Sequence, residues 1–189
     1  MTEEEHERRF HGDAERLRSA ERIALLEVDR VTMLSIEGLV RPHVIDVGTG
    51  TGVFAEAFAA RGLAVTGIDS NGDLLQVARR LVPRAEFKQA TAEAIPYVDG
   101  AFDLAFLCHV LHETDDPVGA LSEARRVATE RVVVVEWPYV QEEHGPPLKH
   151  RLTQEAIVEM ASLAGIKNVE VLKLTHMYLY RMAIERTDL

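Results

Sequence analysis

The chain has few of the residues on which several large classes of protein depend. Its 189 residues include one cysteine, one tryptophan, and 21 lysines and arginines against 31 aspartates and glutamates. Because Cys108 has no cysteine partner, no disulfide can form within the chain, which favours a reducing compartment and predicts a cytoplasmic protein. The net charge of −10 disfavours a nucleic-acid partner, since binding to a phosphate backbone needs clustered cations.

Long apolar runs are also missing. The acidic residues 1–5 lack the apolar centre of a signal peptide, and no later stretch approaches the roughly 20 apolar residues of a membrane span. No membrane association is therefore expected. The chain is nevertheless 47% hydrophobic, which is enough to bury one full core, and residues 1–189 are predicted to form a single domain.

The first 40 residues differ in pattern from the rest. Between residues 6 and 38 the apolar residues recur at helical spacing, as in Phe10, Ala14 and Leu17, and this predicts two helices. Residues 1–40 would then form a helical segment in front of a core of residues 41–189. The amphipathic pattern fits a cap packed on the core and a lid over a ligand equally well.

Strands and helices alternate in the core, which predicts an α/β fold with a parallel sheet and helices on both faces. Asp116 followed by Pro117 predicts the start of one helix, and Thr153 predicts the start of another. Two β-rich runs close the chain and are joined tightly enough to be antiparallel. The predicted strands cover residues 43–45, 63–68, 85–88, 102–107, 131–135, 168–174 and 177–184.

The most informative stretch, residues 46–52, joins the first strand to the next helix. It places Gly48, Gly50 and Gly52 behind Asp46, so that the backbone can approach a ligand closely and the helix can aim its free N–H groups at it. This arrangement predicts a nucleotide-like cofactor. A dinucleotide fingerprint would need a glycine at position 53, where the chain has Val53.

A second acid supports the same prediction. Asp69 ends the next strand, 69 − 48 = 21 residues after Gly48. A carboxylate at that distance is placed to accept hydrogen bonds from both hydroxyls of a ribose. The two elements together indicate an adenosine-containing cofactor.

Residues 44–52 resemble motif I of the class I S-adenosylmethionine-dependent methyltransferases, which reads apolar-apolar-Asp-apolar-Gly-x-Gly-x-Gly. Residues 92–104 are similar to the corresponding stretch of the small-molecule members of the ubiquinone-biosynthesis type. The resemblance implies a doubly wound, Rossmann-like sheet of seven strands, mostly parallel with an antiparallel C-terminal strand. It also implies S-adenosyl-L-methionine as the cofactor and methyl transfer by in-line displacement to a small-molecule acceptor.

The resemblance also implies which residues bind the cofactor. Asp46 would lie near its methionine amino group, the glycines beneath it, and Thr91 with Ala92 beside the adenine. Thr91 stands where many members have an aspartate, and Ser70 where an apolar residue often covers the adenine. The cofactor-binding set is Asp46, Gly48, Thr49, Gly50, Gly52, Asp69, Ser70, Thr91, Ala92, Glu93, Cys108 and His109.

Polar residues near the expected methyl group are candidates for catalysis. His112 and Glu113 follow the fourth strand, and His144 lies in the long loop of residues 136–151. Any of them could remove a proton from the acceptor, although loop histidines and glutamates also serve as simple caps. No metal is expected, because Cys108 and Glu136 at the strand ends are a poor ligand set for a hard cation.

Two other functions compete with methyl transfer. An NAD(P)-dependent oxidoreductase is disfavoured by Val53 and by the lack of a Tyr-x-x-x-Lys pair of the short-chain dehydrogenase type. A non-catalytic S-adenosylmethionine-binding module would keep the glycine loop and Asp69 but lack a cavity for the acceptor. The sequence leaves the oligomeric state and the identity of the acceptor open.

Overall fold

A seven-stranded sheet forms the centre of the protein. The computed structural model describes residues 14–185. The strands lie in the order β3-β2-β1-β4-β5-β7-β6, and β7 is antiparallel to both β5 and β6. They are β1 (Val44–Val47), β2 (Val65–Asp69), β3 (Glu86–Gln89), β4 (Phe102–Cys108), β5 (Ala128–Glu136), β6 (Asn168–Lys173) and β7 (Tyr178–Ala183). The predicted Rossmann-like fold class is therefore confirmed.

Helices cover both faces of the sheet, and two of their predicted starts are confirmed. The Asp116 side chain accepts a hydrogen bond from the Gly119 N–H, and the Thr153 hydroxyl accepts one from the Ala156 N–H. No helix between residues 14 and 185 is long and apolar enough to cross a bilayer. The helices are α1 (Ala14–Leu17), α2 (Ala20–Leu25), α3 (Val28–Ile36), α4 (Val53–Ala60), α5 (Gly72–Leu81), α6 (Pro117–Val127) and α7 (Gln154–Leu163), with a 3₁₀ turn at Leu148–His150.

The N-terminal segment is more broken than its sequence predicts. Residues 14–36 form three helices, α1 to α3, where two were expected over residues 6–38. Ser19 interrupts the pattern because its hydroxyl accepts a hydrogen bond from the Arg22 N–H and caps α2. Glu27, at a φ of +46°, separates α2 from α3. Phe10 lies outside the described residues.

The strand order creates a crevice at one edge of the sheet. The chain runs outward from β1 to β2 and β3 and then returns to place β4 on the other side of β1. The loops after β1 and β4 therefore diverge, and ligands of open α/β sheets bind in the gap that they leave. The strands on either side of this gap are β1 and β4, whose residues 44–47 and 104–107 are at most 2% exposed.

Candidate functional site

A cavity of about 410 Å³ occupies this crevice. It is formed by the loops that follow β1, β2, β3 and β4, together with two residues of the N-terminal helical segment. The structure thus brings together most of the residues that the sequence proposes for cofactor binding. Those that line the cavity are Gly48, Gly50, Asp69, Ser70, Thr91, Ala92, Glu93, Cys108 and His109.

The glycines of the loop after β1 have different structural roles. Gly48 has a φ of +70°, and a Cβ there would lie 2.4 Å from Cγ2 of Val110, another residue of the cavity wall. A side chain at this position would therefore collide with Val110 as well as strain the backbone. Gly52, at a φ of +80°, starts α4 and lies behind the cavity wall, where a Cβ would lie 3.3 Å from Cβ of Ala78.

Asp69 connects two of the loops that line the cavity. Its Oδ2 accepts a hydrogen bond of 2.7 Å from the Gly50 N–H, and its Oδ1 accepts one of 2.8 Å from the Asn71 N–H. Each carboxylate oxygen can accept a further hydrogen bond, because it has two lone pairs. The carboxylate therefore shapes the glycine loop and still has acceptor capacity for a ligand.

Asp46 supports the glycine loop from behind. It is 2% exposed, does not line the cavity, and its Oδ2 accepts a 2.6 Å hydrogen bond from the Thr49 hydroxyl. Thr49 is likewise buried behind the loop. Burial raises the pKa of Asp46 to about 7, and the nearby Asp69 charge adds to the rise, although the hydrogen bonds to Asp46 oppose it.

The raised pKa predicts a pH-dependent stability. The folded protein holds the Asp46 proton more tightly than the unfolded chain, whose aspartates titrate near pH ~3.9. The stabilisation is therefore present at low pH and is lost as pH rises through about 7. Relative to Asp46→Asn, the wild type should lose about 2–3 kcal/mol of unfolding free energy between pH ~5 and ~8, measured by urea denaturation.

Asp73→Asn is the matched control, because Asp73 is exposed at the start of α5. Its difference from the wild type should stay nearly constant over the same pH range. A constant difference for Asp46→Asn as well would mean that Asp46 is ionised in the folded protein throughout.

His109 forms the wall of the cavity directly after β4. It adopts a φ of +60°, unusual for a residue with a side chain, and its ring stacks on Trp137 at a centroid distance of 4.6 Å. Burial, assisted by the neighbouring His112 and by two arginines, holds the pKa of His109 well below its usual range. Its Nε2 is buried without a hydrogen-bond partner among residues 14–185. His109 is therefore a neutral ring.

The three candidate catalytic residues lie at different distances from the cavity. Glu113 lines it. His112 is 8% exposed and lies behind Glu113, with Nδ1 2.7 Å from Oε2 of Glu136. His144 is exposed on the loop after β5, where its ring packs edge-on against His176 at 6.3 Å, and it is not part of the described cavity wall.

The loop after β5 is held by one buried arginine. The Arg151 side chain is fully buried, and its guanidinium lies 5.7 Å from the ring centroid of Trp137. Trp137 itself is 3% exposed and packs against the His109 ring. The guanidinium donates hydrogen bonds to the carbonyl groups of Pro138, His144 and Pro146.

Some cavity residues were not predicted from the sequence. Arg22 is the only lysine or arginine in the described wall, and burial lowers its pKa. No motif marks it, because only the packing of α2 over the crevice brings it there. Asn71 could have been found, because an asparagine two residues after Asp69 is typical of the cap of the next helix, a role that the structure gives it. The residues missed are Leu17, Arg22, Asn71, Leu74, Ala90, Val110 and Thr114.

The cavity fits an adenosyl cofactor by the chemistry of its wall. Backbone without side chains at Gly48 and Gly50 adjoins a carboxylate at the end of β2, the arrangement suited to a ribose. Leu74 and Ala92 provide apolar surface on the same side. Arg22 provides a cation at the side formed by the N-terminal segment, where a carboxylate can be neutralised.

Comparison with known proteins agrees with this assignment. Residues 45–135 match the Methyltransf_11 family, described as a methyltransferase domain. The chain is 33% identical over 99 residues to the demethylmenaquinone methyltransferase of Renibacterium salmoninarum, covering 51% of this chain and 42% of that protein. It is 34% identical over 95 residues to the ubiquinone biosynthesis O-methyltransferase of Pseudomonas aeruginosa, covering 48% and 41%. The chain therefore spans less than half the length of these curated relatives.

The fold has a similar counterpart of known structure. A SAM-dependent methyltransferase from Aquifex aeolicus superposes with a TM-score of 0.82 at 23% identity, covering 91% of this chain and 97% of that one. At this identity the likeness concerns the fold, while the matched domain and the glycine loop carry the family assignment. Residues 45–135 therefore form a methyltransferase domain, as the resemblance of residues 44–52 to the class I S-adenosylmethionine-dependent methyltransferases predicts, and this assignment implies S-adenosylmethionine as the cofactor.

Proposed function

We propose that this protein transfers a methyl group from S-adenosylmethionine to a small, quinone-related acceptor by in-line displacement. One observation carries the proposal: a single cavity joins the glycine loop and Asp69 to Glu113, a group able to take a proton. A module that only binds the cofactor would not need a cavity that continues from the glycine loop to Glu113. The acceptor class follows the names of the two relatives, which refer to demethylmenaquinone and to ubiquinone biosynthesis.

The binding roles follow from the chemistry of each wall. Asp69 accepts from the ribose hydroxyls, and Arg22 neutralises the carboxylate of the methionine portion. The hydroxyl of Thr91 and the backbone of Ala92 lie beside the adenine. Because Leu17 and Arg22 belong to the N-terminal segment, that segment acts as a lid and excludes water from the bound cofactor.

The bound cofactor supplies a methyl group on a positively charged sulfur. The protein's main task is then to hold the acceptor in line with that methyl group, and such alignment lowers a barrier by ~7–11 kcal/mol. Glu113 takes the proton of the acceptor, a contribution of roughly 10²–10⁴-fold. Its place in the cavity wall favours it over His144 as the base. The cytoplasmic location remains a prediction from the sequence.

Thermal unfolding with added ligands tests the cofactor. A ligand present at 100 times its dissociation constant stabilises the native state by about 2.7 kcal/mol. For a chain of this size the melting temperature should rise by ~5–11 °C. We expect this rise with S-adenosylmethionine or S-adenosylhomocysteine and no rise with NAD or NADP. A rise with NAD alone would replace the proposal by an oxidoreductase.

A further inference from the structure

A buried carboxylate and imidazole lie directly behind Glu113. Glu136, at the end of β5, is 2% exposed, and its Oε2 lies 2.7 Å from Nδ1 of His112, while its Oε1 accepts a 3.4 Å hydrogen bond from the His112 backbone N–H. An ionised carboxylate can only accept hydrogen bonds, so the His112 proton is on Nδ1. When the ring is neutral, Nε2 is the nitrogen that carries no proton.

The free nitrogen faces the cavity side of the pair. Nε2 of His112 lies 3.8 Å from Oε1 of Glu113, which is itself a wall residue of the cavity. This distance is too long for a hydrogen bond and requires a shift of about 1 Å in the Glu113 side chain, a tightening that is common when a substrate binds. After that shift, a path of hydrogen-bonding atoms leads from the cavity to the buried Glu136.

The charges around His112 favour proton uptake. Burial disfavours the charged ring and Arg151 opposes it, but the carboxylates of Glu136 and Glu113 outweigh both, so the pKa of His112 is raised. The other titratable groups near Glu136 do not compete for the proton. Burial and the Glu136 charge raise the pKa values of the Cys108 thiol and the Tyr180 hydroxyl, which both stay neutral.

We propose that Glu136 and His112 are positioning residues that form a proton relay for Glu113. The inference rests on the proposed methyl transfer to an acceptor with an acidic hydroxyl. The acceptor O–H bond breaks and its proton moves to the Glu113 carboxylate and then to Nε2 of His112, while Nδ1–H stays bonded to Glu136. The electron pair left on the acceptor forms the new bond to carbon, the sulfur keeps the pair of the broken bond, and the proton finally leaves to solvent.

The first test uses the full chain without cofactor. Long-range ¹⁵N NMR of histidine-labelled protein reads both the tautomer and the pKa of His112, whose signals are assigned by their loss in His112→Gln. We expect an Nδ1–H tautomer in the neutral ring, and a His112 pKa that falls in Glu136→Gln and falls by a smaller amount in Glu113→Gln. If the pKa of His112 is the same in Glu113→Gln as in the wild type, the relay is overturned, because in a purely structural pair only the change at Glu136 would alter that pKa.

The second test measures turnover with 1,4-naphthohydroquinone as the probe acceptor. Glu136→Gln should lower kcat by roughly 10²-fold with KM and S-adenosylhomocysteine affinity unchanged. The acidic limb of its kcat–pH profile should move to lower pH, because a neutral His112 is needed and its pKa has fallen. Wild-type kcat and an unmoved limb in this variant would overturn the proposal.

Glu123→Gln is the matched control, because Glu123 pairs with Arg126 away from the cavity and should leave kcat and the pH profile unchanged. Failure of the proposed function has a different signature. It would appear as no binding of S-adenosylhomocysteine to the wild type, while the NMR titration of the free protein still decides the relay.

Discussion

Asp69→Ala should weaken the binding of S-adenosylhomocysteine by ~10²–10⁴-fold. Two charge-assisted hydrogen bonds to the ribose, of ~1.5–3 kcal/mol each, are lost, and each factor of ten corresponds to about 1.4 kcal/mol. The variant also removes the acceptor for the Gly50 and Asn71 N–H groups, which loosens the loop that carries the cofactor. Both N–H groups lie near the cavity and can bind water instead, so the fold should survive.

Calorimetric titration measures the affinity, with circular dichroism as the check on folding. Asp69→Asn should lose less than the alanine variant, because its carbonyl oxygen keeps part of the interactions while its amide nitrogen meets a backbone N–H. The control is Asp73→Ala, an exposed residue of the next helix that should bind normally. Near-wild-type affinity in a folded Asp69→Ala protein would place the ribose elsewhere and remove the proposed cofactor position across Gly48 and Gly50.

Arg151→Met should open the loop after β5 and destabilise the protein by about 3 kcal/mol. The change keeps most of the apolar stem but leaves three backbone carbonyl groups without their shared donor, at ~1–3 kcal/mol for each buried group and less where water can enter. The melting temperature should fall by ~6–12 °C. Because Trp137 is the only tryptophan and packs under Arg151, its fluorescence should shift to longer wavelength.

Arg80→Met is the control for this change, because Arg80 is exposed on α5 and the same substitution there should change stability by less than about 0.5 kcal/mol. If Arg151→Met melts like the wild type with unchanged fluorescence, the guanidinium does not hold the loop. The position of the His109 ring should also change in Arg151→Met, since that ring stacks on Trp137.

Local patterns in the sequence were sufficient to predict most of the fold. Four of the five parallel strands contain short apolar runs because both faces of such a sheet are buried, whereas the edge strand β3 is mostly polar and exposed. Asp116 and Thr153 mark helix starts through hydrogen bonds made within three residues. The first and last residues of the strands were less predictable. β5 begins at Ala128 and not at residue 131, because its first residues pair at the bulged end of β4, which their own sequence does not indicate.

The sequence by itself identified the glycine loop and Asp69, and so indicated an adenosine-containing cofactor, because these features depend on spacing along the chain at the ends of two neighbouring strands. The resemblance of residues 44–52 to a known motif then implied S-adenosylmethionine. Only the tertiary structure decided which polar residues meet in the cavity. It placed Arg22 in the wall, moved His144 out to the surface and joined His112 to Glu136, 24 residues away. Such contacts depend on which loops the strand order brings together. The sequence around a residue does not indicate a partner that lies far away along the chain.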